Sequence, residues 1–206
     1  MSKYHNDSTY ASDPGGVALA DEKLRRFHPE LYTTWAGLLA RLPLWFPVHR
    51  IGISGRWRDI IEEHVWLGDS RAAMVMSTEP LIVAAYTDEL DCVALLKFDS
   101  WVRDEHKLCQ YDRLLTVNTY SSPQYEPVAP DLVFGPRQLS RWVNFWPIIA
   151  DFVTDDVDRL EKRKSRINEE EWDRTRRLAE RLITQPKARP RNGAPILSGR
   201  CAGRIG

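Results

Sequence analysis

Three cysteines in 206 residues, Cys92, Cys109 and Cys201, are too few for a disulfide framework. Their odd number fits a reducing compartment. Cys92 lies in the apolar run 92–96 and reads as a small buried hydrophobe. No CxxC pair or Cys/His spacing suits zinc. Long hydrophobic stretches are missing as well, and none approaches the roughly 18 residues that span a bilayer. Residues 1–20 lack the apolar segment of a signal peptide and carry Asp7, Asp13, Pro14, Gly15 and Gly16. The expectation is a cytoplasmic protein with no membrane association. Net charge is also absent: 29 Lys and Arg balance 29 Asp and Glu, which excludes a uniformly basic nucleic-acid binder.

Familiar catalytic signatures are missing too. The chain has no GxGxxG, GxxxxGK[ST] or GxSxG, and so no phosphate cradle or nucleophile elbow of known form. His64 follows Glu62 and Glu63, but no second histidine stands one helical turn away to share a metal. Asp91 and Lys97 bracket a strand as in some metal-dependent nucleases. The position two before the lysine is Leu95, which cannot bind a cation. No cofactor and no metal is expected, and no catalytic residue is assigned.

What is present is an ample set of apolar residues in regular patterns. Leu31, Trp35, Leu38, Leu39 and Leu42 predict a helix over Pro29–Leu42, ended by Pro43 and Pro47. Trp57, Ile60, Ile61, His64 and Val65 predict a second over Gly55–Leu67, opposite a charged face. Short runs rich in Val, Ile and Leu then predict strands at Ala72–Met76, Leu81–Thr87, Asp91–Phe98 and Leu114–Tyr120, with a hairpin at Asp88–Leu90. The runs within 81–98 are almost wholly apolar, which predicts a sheet covered on both faces. Four prolines make 121–136 a long loop. Leu139, Trp142, Val143, Trp146, Ile149 and Val153 predict a helix from Arg137, bent or broken at Pro147. Helices over Asp155–Lys164, capped by Thr154, and from an Asn168 capping box complete the pattern.

This order predicts an α+β fold: a small antiparallel sheet of about four strands, residues 72–120, flanked by N-terminal and C-terminal helices. The domain spans 21–184. Residues 1–20 are expected as a flexible N-terminal arm and 185–206 as a flexible basic C-terminal tail.

The neutral total hides an uneven distribution. Asp59–Asp112 holds 12 acids and 4 bases, a net of −8, and Arg159–Gly206 holds 14 bases and 6 acids, a net of +8. Either the two regions pair with each other or their faces steer partners of opposite sign. The sequence therefore points first to a non-catalytic interaction module that binds another protein, with the profile of bacterial immunity, antitoxin or assembly-factor proteins. Its candidate binding residues are the acids Asp88, Glu89, Asp91, Asp104 and Glu105. A second reading is a hydrolase in which His64 or His106 works with these acids. A third is a nucleic-acid-binding accessory protein that uses Lys187, Arg189, Arg191, Arg200 and Arg204 for phosphate contacts.

Overall fold

The run Leu81–Thr87 has no polar face because it lies in the middle of a sheet covered on both sides. All seven of its residues are buried. In the computed structural model, which describes residues 11, 13–29, 53–124, 126–139, 141–185 and 189–195, this run is the central strand β2. Around it are β1 (Asp69–Thr78), β3 (Cys92–Phe98), β4 (Arg113–Ser121), β5 (Asn144–Ile149) and β6 (Arg191–Asn192), in the order β5-β4-β1-β2-β3-β6. The helices are α1 (Asp21–Phe27), α2 (Ile53–Leu67), α3 (Ser100–His106), α4 (Val157–Lys164) and α5 (Glu169–Ile183). The fold is α+β, as expected. The sheet has six strands rather than four, and it is mixed, because β6 runs parallel to β3 while the other pairs are antiparallel. The predicted helix over Pro29–Leu42 lies outside the described residues, apart from Pro29.

The period of two along each strand sorts side chains into an inner and an outer layer. Val75, Val83, Leu96, Phe98 and Phe145 lie in one inner core. On the outer face, Met74, Ile82, Ala84 and Leu95 pack under α5 with Trp172, Ala179 and Leu182. Beside them, Leu115, Val117 and Ile148 pack with Ile61 and Val65 of α2, Leu24 of α1 and Leu160 of α4. Burying each large side chain contributes roughly 1.5–3 kcal/mol.

The strand β1 is longer than its apolar run, and its register shifts between Val75 and Ser77. The backbone groups released there find partners on the α3–β4 connection. Val75 donates to Asp112 O, Tyr111 donates to Val75 O, and the Gln110 amide donates to Met76 O.

The predicted helix from Arg137 is not formed. Residues 144–149 are instead strand β5, followed by a 3-10 turn over Ala150–Phe152. Phe145 and Ile149 join the inner core and Ile148 the outer one, a period of two that the helical spacing of Trp142, Trp146 and Val153 obscured. Pro147 disfavours a helix interior but suits an edge strand, where its missing N–H costs no ladder bond.

The two edge strands, β5 and β6, meet. From β6, Arg191 donates to Phe145 O at 2.8 Å and to Asn144 Oδ1 at 2.9 Å on β5, and forks onto Asp131 at 2.7 and 3.0 Å. Strands at opposite ends of the order can touch only if the sheet curls round its inner core. The described part of the expected flexible tail, 189–195, is therefore docked at this seam.

The expected N-terminal arm is also docked where it is described. Val17 and Leu19 are buried, Gly15 donates to Gly68 O, and Ser70 donates to Asp13 O. A Cβ on Gly15 would stand 2.4 Å from Val65 O, so only glycine allows this approach.

At α4 the N-cap is Asp156 rather than Thr154, whose Oγ1 accepts from Asp156 N. At α5 Asn168 caps the Glu171 N–H as predicted. Glu171 does not reach back to complete the box. Its Oε1 accepts from Ala72 N at 2.8 Å and ties the helix to β1.

Candidate functional site

Of the acids expected to form a docking surface, Asp88, Asp104 and Glu105 are exposed and ion-paired within the chain, Glu89 is half-buried and Asp91 is buried. Asp88 forks with Arg71 through two bonds of 2.7 Å. Asp104 pairs with Arg103, and Glu105 with Arg26. Glu89 has one buried carboxylate oxygen without a hydrogen-bond partner among the described residues. Asp91 is fully buried, with a φ of 49°, and its carboxylate is held by Arg174 on α5. This ion pair joins the acidic region 59–112 to the basic region 159–206. Other bases of that region turn elsewhere, Arg163 to Asp13, Lys164 to Asp151 and Arg191 to Asp131.

The histidines do not converge with Asp88, Glu89 and Asp91, and Glu105, whose charge does act on His106, is paired with Arg26. His64 lies under β4 with its Nε2 2.9 Å from Val117 O. A carbonyl can only accept, so Nε2 carries the proton and Nδ1 is left as acceptor, 3.4 Å from Thr119 Oγ1. Burial pushes this imidazole down to about 4, against the opposing pull of the Val117 hydrogen bond. His106 packs on the Phe152 ring at 4.9 Å. Burial lowers it as well, and the nearby Lys23 charge adds to that effect. Among the described residues no hydrogen bond or ion pair links either histidine to Asp88, Glu89 or Asp91.

Of the basic candidates, Arg189 is exposed and Arg191 is locked at the seam. Lys187, Arg200 and Arg204 lie outside the described residues. Among those described, no three His, Cys, Asp or Glu side chains are grouped to hold a metal, and no helix is long and apolar enough to cross a membrane.

A polar cluster that the sequence did not reveal sits where β1 begins and β2 and β4 end. Tyr120 OH donates to Asp69 Oδ2 at 3.3 Å and lies 3.0 Å from Thr87 Oγ1. Arg71 reaches Asp69 at 2.9 Å. Burial pushes the Asp69 carboxyl up to about 6, and the Arg71 charge only partly opposes this. Asp69 Oδ1 has no partner among the described residues. These groups can store a proton inside the fold, but neither cleft described below includes Asp69 or Tyr120.

Among the described residues two clefts stand out on the surface. The first, about 430 Å³, follows the seam and is lined by Leu96, Pro127, Val128, Trp146 and Pro147, among others. Its polar groups satisfy one another, Arg191 with Asp131 and Asn144 with Glu126.

The second, about 280 Å³, lies between the C-terminal half of α5 and the loop 133–136. It is assembled around Asp91. Gly135 donates to Leu90 O, and Arg137 N donates to Asp91 Oδ2 at 3.1 Å, which fixes one wall. Gly135 presses so closely that a Cβ there would stand 2.2 Å from Asp91 Oδ2. From the other wall Arg174 clamps the same carboxylate. Because α5 buries Trp172, Thr175, Ala179 and Leu182 on the sheet, its next row over faces the cleft. That row presents Arg174, Arg177, Leu178 and Arg181, above Val93 and beside Val133 and Pro136. Arg174 is neutralised by Asp91. Arg177 and Arg181 are exposed and make no ion pair among the described residues, and no acid lines the cleft. Neither arginine stands out in the sequence, because the acids of the same helix make it look like an ordinary solvated face. The signal was local: two arginines four residues apart, each followed by a leucine.

Comparison with known proteins returned no matching family model, no similar curated protein and no similar solved structure.

Proposed function

We propose that this chain is a non-catalytic protein-interaction module of the cytoplasm, and that it receives its partner in the cleft between α5 and the loop 133–136. The observation that carries the reading is the pairing of two exposed arginines without ion partners among the described residues, Arg177 and Arg181, with an apolar lining of Val133, Pro136 and Leu178. Interfaces commonly combine an apolar centre with arginine, whose planar fork binds carboxylates with defined geometry. Two of the side chains a hydrolase reading would use are engaged in structural bonds, His64 with Val117 O and Asp91 with Arg174. A cytoplasmic setting agrees with the free thiols of Cys92 and Cys109.

The test is affinity capture with the tagged full chain, run beside an Arg177→Glu/Leu178→Asp variant whose thermal unfolding matches the wild type. A stoichiometric partner that the variant loses is expected. A partner held equally by the variant, or none on the wild type, overturns the reading.

A further inference from the structure

The cleft also constrains what can fill it. We infer that its occupant is an acidic, amphipathic segment of a partner protein, with two carboxylates about one helical turn apart beside apolar side chains. This inference rests on the docking reading above and adds the chemistry of the partner.

Charge is the first argument. Of the three arginines that line the cleft, Arg174 is cancelled by the buried Asp91. Arg177 and Arg181 remain, and no carboxylate stands among the lining residues, so the cleft is positive. A partner must supply the missing anions, because two arginines brought under an apolar cover without counter-charges would be destabilising.

Spacing is the second. Arg177 and Arg181 are four residues apart on one helix, so their Cβ atoms are roughly 6 Å apart. Leu178 and Leu182 repeat the same interval one residue on. Leu182 is only 5% exposed beneath the helix, so the cleft offers a charged row with the period of a helix beside the apolar side chains of Leu178, Val133 and Pro136. At about 280 Å³ it accepts side chains rather than a folded element.

The composition of the walls favours protein over nucleic acid. The floor is aliphatic, and Phe134, the one aromatic lining residue, packs against the inner core rather than presenting a stacking platform. The same helix carries the exposed acids Glu170 and Asp173, paired with Arg137 and Arg176, and Glu180, which disfavours a continuous phosphate backbone.

The experiment is fluorescence anisotropy on the full chain with a labelled peptide of about sixteen residues, carrying Glu and Leu each at i, i+4 spacing. Three comparison probes are the same peptide with Gln for every Glu, a Glu peptide with Ser for every Leu, and a single-stranded DNA of about the same charge. Binding of the Glu/Leu peptide is expected. It should weaken at least about tenfold when either the acids or the leucines are removed, and by a similar factor in an Arg177→Gln/Arg181→Gln variant. Far-UV circular dichroism and thermal unfolding of that variant should match the wild type. Equal binding of the Gln peptide overturns the charge argument, and equal binding of the Ser peptide overturns the amphipathic one. Tighter binding of DNA overturns the choice of protein. Self-association of the chain that the Arg177→Gln/Arg181→Gln variant abolishes, without peptide binding, overturns it in favour of a second copy. If no peptide binds while the affinity capture still yields a partner lost by the cleft variant, the docking reading stands and the acidic chemistry falls.

Discussion

Arg174 closes a fork on Asp91, with Nε 2.6 Å from Oδ1 and Nη2 2.5 Å from Oδ2, on a carboxylate that is only 1% exposed. This pair holds helix α5, the β2–β3 turn and the wall of the candidate cleft in one arrangement. Burying two charges is expensive, so such a pair adds little net stability, but removing one partner strands the other.

Arg174→Met should therefore lower the unfolding free energy by about 3–5 kcal/mol, because Asp91 is left charged and buried. Adding Asp91→Asn should recover part of that loss. Urea titration at pH 7 measures both. A loss below about 1 kcal/mol in the single variant would mean that water reaches the carboxylate.

His64 and Asp69 link stability to pH in opposite directions. His64 is held at about 4, below its ordinary 6.5, so the unfolded chain takes up its proton first. Its contribution is fully present above pH 6.5 and drains away as pH falls toward 4, by ~3 kcal/mol in all. His64→Gln, which keeps a donor toward Val117 O, should remove this slope. The check is the urea unfolding free energy of the variant and the wild type at pH 7 and pH 4.5. The gap between the two proteins should be smaller at pH 4.5, and a constant gap would show that His64 does not titrate as argued.

Asp69 works the other way. It is held at about 6, above its ordinary 3.8, so the folded chain keeps the proton longer. Its favourable contribution is fully present below pH 3.8 and is lost as pH rises through 6. Asp69→Asn should thus cost least, or stabilise, above pH 7, while Arg71 keeps its fork on Asp88. Over pH 4–6 the two groups oppose each other, so wild-type stability should be flatter there than in either variant. A chemical-denaturation series in half-unit pH steps gives all three curves. A variant lacking Asp69 with unchanged pH dependence would remove this residue from the balance.

How much was legible follows from where the information lies. The strands β2 and β3 could be read from the chain because seven consecutive buried residues in β2 and five in β3 need an apolar run whatever lies around them. The start of α5 could be read because Asn168 caps within four residues. The strand β5 could not. Its apolar residues fit two periods over a short stretch, and pairing with β4, 23 or more residues earlier in the chain, decided between them. In the sequence Asp91 opens the predicted strand 91–98 beside the acidic turn and counts among the candidate binding acids. Nothing local announces that Arg174, 83 residues on, will bury it.

By itself, then, the sequence determined the α+β class, the central strands and the near-neutral composition with its uneven halves, because propensity, period and charge are local or additive properties. The tertiary structure decided which charges face solvent. It folded Arg191 into the seam and Asp91 into the interior, and it left Arg177 and Arg181 beside an apolar floor. The physical reason is that a charge acquires a role only from its burial and its partner, and both are set by contacts between residues far apart in the chain.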